Sequence, residues 1–186
     1  MKKNYKAKSW FSLEDAAARL SSGLGEEITV QNVLELVIEG HLPISWYARQ
    51  AFAQVVVSAE EGWRVLDEAD PIRQLDGPYR LALEHCGALK DWIHSSLSQT
   101  GGELASDGFF VSDAEEQILQ IMAYYEGQRY RVKNQWSRME GSYRPSMKFP
   151  HESELVIQRE DIDTFERSIG EAVSHKTRKW TPQMQR

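Results

Sequence analysis

The 186 residues are 41% hydrophobic and 27% charged, with 6 Trp, 7 Tyr and 6 Phe, a balance that suits one globular domain with or without a small appended module and excludes a disordered chain. A single cysteine, Cys86, excludes an intramolecular disulfide framework and a multi-cysteine zinc site. The net charge of −6 excludes a chain that attracts nucleic acid over its whole surface. That charge is unevenly spread: residues 1–57 are neutral, 58–126 carry −10 and 127–186 carry +4, so an anionic partner would have to meet the ends of the chain.

In chain order, Met1 to Lys8 form a basic polar tail with no apolar stretch behind it, which predicts neither secretion nor membrane insertion and so a cytoplasmic protein. Ser12 is placed to cap a first helix: Glu14 and Asp15 stand in its first turn, Leu13, Ala16, Ala17 and Leu20 lie on one face, and its end is expected near Ser21-Ser22-Gly23. Thr29 is placed to cap a second, with Val30, Val33, Leu34, Val37 and Ile38 as its apolar stripe and Gly40 just past its end.

Strands are expected at Ile44 and Trp46, over Ala51–Ser58 and over Pro71–Leu75, with a turn at Asp76-Gly77-Pro78. A helix is expected from Ala82 to Leu97 and a loop from Ser98 to Gly108. Residues 109–126 read two ways. Ser112-Asp113-Ala114-Glu115 is a capping-box pattern that favours a helix, whereas Phe109-Phe110-Val111 and Ile118-Leu119-Gln120 allow a hairpin. Residues 127–150, with Gly141, Pro145 and Pro150, read as irregular. Leu155-Val156-Ile157 predicts a strand, and Glu160 and Asp161 open a helix carrying Ile162, Phe165 and Ile169. The fold class expected is α+β: an N-terminal winged-helix-like helix pair (residues 1–48 with the basic tail), a mixed α/β region (49–174) and a basic C-terminal tail (175–186).

The pattern Asp15-Ala16-Ala17-x-x-Leu20, Val33-Leu34-x-Leu36 and Gly40-x-Leu42 resembles the N-terminal modules of MerR-type regulators and phage excisionases. The resemblance covers about residues 9–48. The longer arrangement, ending in Leu155 to Ile162, is similar to uncharacterised bacterial and prophage proteins. It implies a winged helix-turn-helix and a DNA-associated regulatory or accessory role without catalysis. Gln31 and Asn32 on the second helix would then face base edges, with Lys2, Lys3, Lys6, Lys8 and Arg49 supplying cations for phosphates. Glu35 and Glu39 on the same helix oppose that role, since neutralised phosphates supply most non-specific affinity. The alternative is a protein–protein interaction factor that keeps the helix pair as scaffold.

A second opportunity lies at 124–148, where Tyr124, Tyr125, Tyr130, Trp136 and Tyr143 are interleaved with Arg129, Arg131, Lys133, Arg138, Arg144 and Lys148. Between residues 129 and 148 there are 6 basic residues and one acidic residue, Glu140. Rings stack on bases and cations hold a phosphate backbone, so this mixture suits nucleic acid; the competing use is pairing with the acidic 58–126 segment. Glu60, Glu61, Asp67, Glu68 and Asp70 of that segment read as a solvated acidic surface. His85, Cys86 and His94 lack the four-ligand pattern of a structural zinc site, and neither metal nor cofactor is expected. His151 with Glu152 and Glu154 is the one candidate acid–base cluster. The chain has no nucleophile elbow, phosphate loop, zinc-protease helix or dinucleotide glycine pattern, and it reads as a binding protein rather than an enzyme.

Overall fold

A computed structural model describes residues 8–59, 62–65, 72–85, 90, 91, 93, 109–125, 129–132, 135–138, 142–146 and 150–178. The chain divides into two compact units, 1–44 with 155–186, and 45–154. Both helices and antiparallel strands are present, so the fold is α+β and rich in strands.

The first unit contains β1 (Trp10–Ser12), α1 (Leu13–Leu24), α2 (Val30–Ile38), β10 (Leu155–Gln158) and α3 (Arg159–Arg178). Ser12 caps α1 as expected, accepting from the Asp15 backbone N–H at 3.2 Å. The helix runs past the expected stop to Leu24 and ends on Gly25, whose φ of 74° lets its N–H return to the Ser21 carbonyl without the cost a Cβ would bring. Thr29 caps α2 through a reciprocal capping box in which Asn32, not an acid, is the third residue. Gly40 follows α2 with φ 78°.

The expected α1 stripe, Leu13, Ala16, Ala17 and Leu20, is buried; of the α2 stripe Val33, Leu34 and Val37 are buried, while Val30 and Ile38 are only half-buried. Beside them, Phe11 of β1 pairs with Ile157 of β10, and both are 0% exposed. The β10–α3 unit forms where the sequence places it, with Ile162 fully buried.

One ion-pair cluster joins α1 to α3. Arg19 reaches Glu166 through Nε (3.3 Å to Oε1) and a terminal nitrogen (3.0 Å to Oε2), and it also donates to Asp163. The hydrogen bond that Arg19 donates to Glu166, and then the one it donates to Asp163, raise the Arg19 pKa above its ordinary value against the opposing effect of burial. A cation with a raised folded-state pKa stabilises at every pH below its ordinary value, so Arg19's own titration removes nothing across the working range. Arg19→Met, which keeps the stem and loses the fork, is expected to lower unfolding stability by about 1–2 kcal/mol in urea, with partial recovery in Arg19→Lys. An unchanged urea midpoint in Arg19→Met would show the cluster to be an idle surface pair.

The second unit is built from β2 (Ser45–Ala59), β3 (Gly62–Val65), β4 (Arg73–Leu81), β5 (Phe110–Ser112), β6 (Ile118–Tyr125), β7 (Arg129–Val132), β8 (Gln135–Arg138) and β9 (Ser142–Pro145). β2 pairs with β4, β4 with β5, β5 with β6, and β6 back with β2, all antiparallel. Four strands thus close on one another as a small barrel does, with β3 added to β2 and β9 to β6. Alternation sorts their residues onto two faces. Trp46, Ala48, Ala53, Val55, Leu75, Leu81, Val111, Leu119 and Ile121 share one face by register, and all are buried.

Four expectations for this unit need correction. The two strands around Ile44–Trp46 and Ala51–Ser58 are one 15-residue strand, β2. Its register shifts between Ala48 and Ala51, where Arg49 and Gln50 stand opposite the single residue Asp76. This is a β-bulge, with Gln50 at φ 48°. Asp76-Gly77-Pro78 is not a turn but the middle of β4, where Ala48 pairs with Gly77 and Tyr47 with Pro78; the bulge bends the partner strand to follow β4. Residues 109–126 form the hairpin β5–β6 rather than the helix that the capping box favoured. Asp113 Oδ1 accepts from the Glu115 and Gln117 backbone N–H groups, each at 2.9 Å, so the side chain closes a turn instead of capping a helix. Residues 127–150 are not irregular, since they contribute β7, β8 and β9.

Leu83–His85 form a 3₁₀ turn and residues 90, 91 and 93 are helical; the rest of the expected Ala82–Leu97 helix, and the loop Ser98–Gly108, fall outside the described residues. No helix among the described residues is long and apolar enough to cross a membrane.

Candidate nucleic-acid interface

The register of the β7–β8 ribbon assembles three of the basic residues. β6 pairs with β9 from Met122↔Pro145 to Tyr125↔Ser142, and β7 pairs with β8 from Arg129↔Arg138 to Val132↔Gln135. In every one of these pairs the two residue numbers add to 267, for example 124 with 143 and 131 with 136. β7 and β8 form a two-stranded ribbon of their own, and the residues between β6 and β7 and between β8 and β9 lie outside the described ones. Directly paired residues and residues two apart lie on the same side of such a ribbon. Arg129, Arg131, Trp136 and Arg138 therefore share one face, and Tyr130, Val132, Gln135 and Ser137 share the other.

The other predicted contacts are placed less favourably. Lys2, Lys3, Lys6 and Lys133 lie outside the described residues. Lys8 is half-exposed and forms a 2.8 Å ion pair with Asp15 at the start of α1. Gln31 is exposed on α2. The Asn32 carboxamide is engaged: its Oδ1 accepts from the Thr29 backbone N–H (3.0 Å) and hydroxyl (2.8 Å), and its Nδ2 donates to Glu35 at 3.2 Å. A base edge would have to displace the cap. Glu35 and Glu39 are both exposed on or just after α2, which carries no Lys or Arg. Arg49 is exposed at the bulge in β2, its guanidinium 5.8 Å from the Tyr47 ring centroid.

A row of rings was not legible as a unit in the sequence. Phe52 of β2 and Tyr124 of β6 each lie 5.2 Å, centroid to centroid, from Tyr143 of β9. Phe52 is register partner to Met122, and Met122 to Pro145, so the row crosses three adjacent strands. Tyr124 is 57% exposed, the one large hydrophobic residue so exposed among those described. Tyr124 and Tyr143 belong to the interleaved stretch, but Phe52 is some 70 positions away, and its only sequence signal is its place in the alternation of β2.

The His151 cluster is a turn. Glu154 Oε2 accepts from the His151 backbone N–H (2.8 Å), the Glu154 N–H returns to the His151 carbonyl (2.8 Å), and His151 Nδ1 lies 2.8 Å from the Ser153 hydroxyl. These groups hold the 3₁₀ turn Glu152–Glu154 together. His85, Cys86, His94 and the acidic residues Glu60, Glu61, Asp67, Glu68 and Asp70 fall outside the described residues or side chains. Comparisons with protein families, with curated proteins and with solved structures returned no match.

Proposed function

We propose that this chain is a DNA-associated accessory or regulatory protein that binds without catalysis, and that its contact is made by the β7–β8 ribbon. The observation that supports this reading most is the register that sets Arg129, Arg131 and Arg138 with Trp136 on one ribbon face. A two-stranded ribbon fits the major groove of B-DNA, and arginine serves both phosphate oxygens and the paired acceptors of guanine. The helix pair α1–α2 is winged-helix-like scaffold in this account. Its outward residues, Gln31, Glu35 and Glu39, suit a protein surface better than a phosphate backbone.

Fluorescence anisotropy with a labelled 30-base-pair duplex is the test. About micromolar binding or tighter is expected at ~50 mM salt, weakening steeply as salt rises. Absence of binding at that salt would remove the proposal.

A further inference from the structure

We infer that the ring row Phe52–Tyr143–Tyr124 is a docking face for a proline-rich segment of another protein, bound as an extended polyproline II helix. The inference is independent of the nucleic-acid reading above and uses none of the ribbon's arginines. Phe52 is register partner to Met122, Met122 to Pro145 and Tyr124 to Tyr143, so by alternation these five residues share one side of β2, β6 and β9. Ala53 and Ile121, which alternate to the other side, are buried, whereas Tyr124 is 57% exposed, so the ring side faces outward. Beyond the bulge that side of the three strands carries no charge. Gln54 pairs with Gln120, Val56 follows on β2, Ile118 lies on β6, and the exposed Arg144 pairs with Ala123 on the opposite side.

An uncharged face suits an uncharged occupant, and the ring geometry narrows it further. Tyr143 is inclined by 59° to Phe52 and by 61° to Tyr124. Rings so inclined form valleys rather than a level platform. A flat base or sugar would lie on one ring only, whereas the puckered ring of proline fits a valley between two. The two valleys share Tyr143, and residues of a polyproline II helix rise about 3.1 Å each, so one short segment can fill both. That helix has no internal hydrogen bonds, and its carbonyls take donors from outside. Among the described residues neither tyrosine hydroxyl has a hydrogen-bond partner, so both can donate to such carbonyls. An α-helical partner satisfies its own backbone and would leave both hydroxyls unused.

The experiment titrates labelled decaproline, a Gly/Ser peptide and an alanine-based helical peptide of equal length with the full chain, as wild type, Tyr124→Ala and Tyr124→Phe. Tyr124 is exposed enough for its replacement to leave folding intact, and circular dichroism checks this. Wild type is expected to bind decaproline about tenfold or more tighter than either control. Tyr124→Ala is expected to lose roughly tenfold, through the ring, and Tyr124→Phe about threefold, through the hydroxyl alone. Equal binding of the three peptides, no binding of decaproline, or unchanged decaproline binding by Tyr124→Ala would overturn the inference. So would a wild-type dimer in sedimentation that Tyr124→Ala converts to monomer, because a second copy would then cover the face. The duplex measurement above tests the ribbon separately, so either reading can fail without the other.

Discussion

Replacing Arg129, Arg131 and Arg138 together by Ala is expected to weaken duplex binding roughly 10³-fold at ~50 mM salt, with the fold intact. Each phosphate contact contributes about 0.9 to the slope of log K against log salt, so three contacts carry about 2.7 of that slope. The three residues sit on the two-stranded ribbon β7–β8. Free-protein stability is expected to stay level. A fall in affinity accompanied by a fall in stability would point to misfolding instead. The same substitutions grouped elsewhere, for instance Arg167→Ala on the exposed side of α3, should leave binding within a factor of two or so.

Phe11→Ala is expected to cost about 3–5 kcal/mol, the largest single-residue effect on stability. Phe11 is 0% exposed, is register partner to Ile157, and carries the Arg19 guanidinium 5.4 Å from its ring centroid. Its loss removes a large apolar area from the junction of β1, β10 and α1 and leaves a cavity that the pinned strand pair cannot close. It also leaves Arg19 without the ring beneath it. Urea unfolding should show a lower midpoint for the variant. A cost below about 1 kcal/mol would mean that the first unit is loosely packed around β1.

Local rules made the first unit legible. Ser12, Thr29 and Gly40 terminate the helices they were expected to terminate, because capping depends on residues only a few positions apart. The strand at Leu155 and the helix after it follow from the same local signals. The second unit was harder because its pairings are non-local. Gly77 and Pro78 are read locally as a turn, yet an opposite bulge at Arg49–Gln50 keeps them in β4. Asp113 offers a helix cap locally, yet its carboxylate closes a hairpin turn, and the β-favouring residues on either side pair across it. Gly141 and Pro145 suggested irregular chain, but Pro145 closes the register at the end of β9, where it pairs with Met122.

The candidate site divides in the same way. Composition alone picked out Arg129, Arg131, Lys133 and Arg138, whereas the grouping of three of them with Trp136 on one face depends on register. Gln31 and Asn32 were drawn from the helix-turn-helix resemblance. Asn32 proves to be committed to its own helix cap, and its partner Glu35 brings the wrong charge.

The central claim is that the β7–β8 ribbon is the anion-binding element. The most direct measurement is the salt slope of duplex affinity for wild type against the Arg129/Arg131/Arg138→Ala chain, from ~50 to ~300 mM salt. A slope smaller by about 2.7 in the variant is the predicted result. Identical slopes in the two proteins, or no wild-type binding across that range, would contradict it.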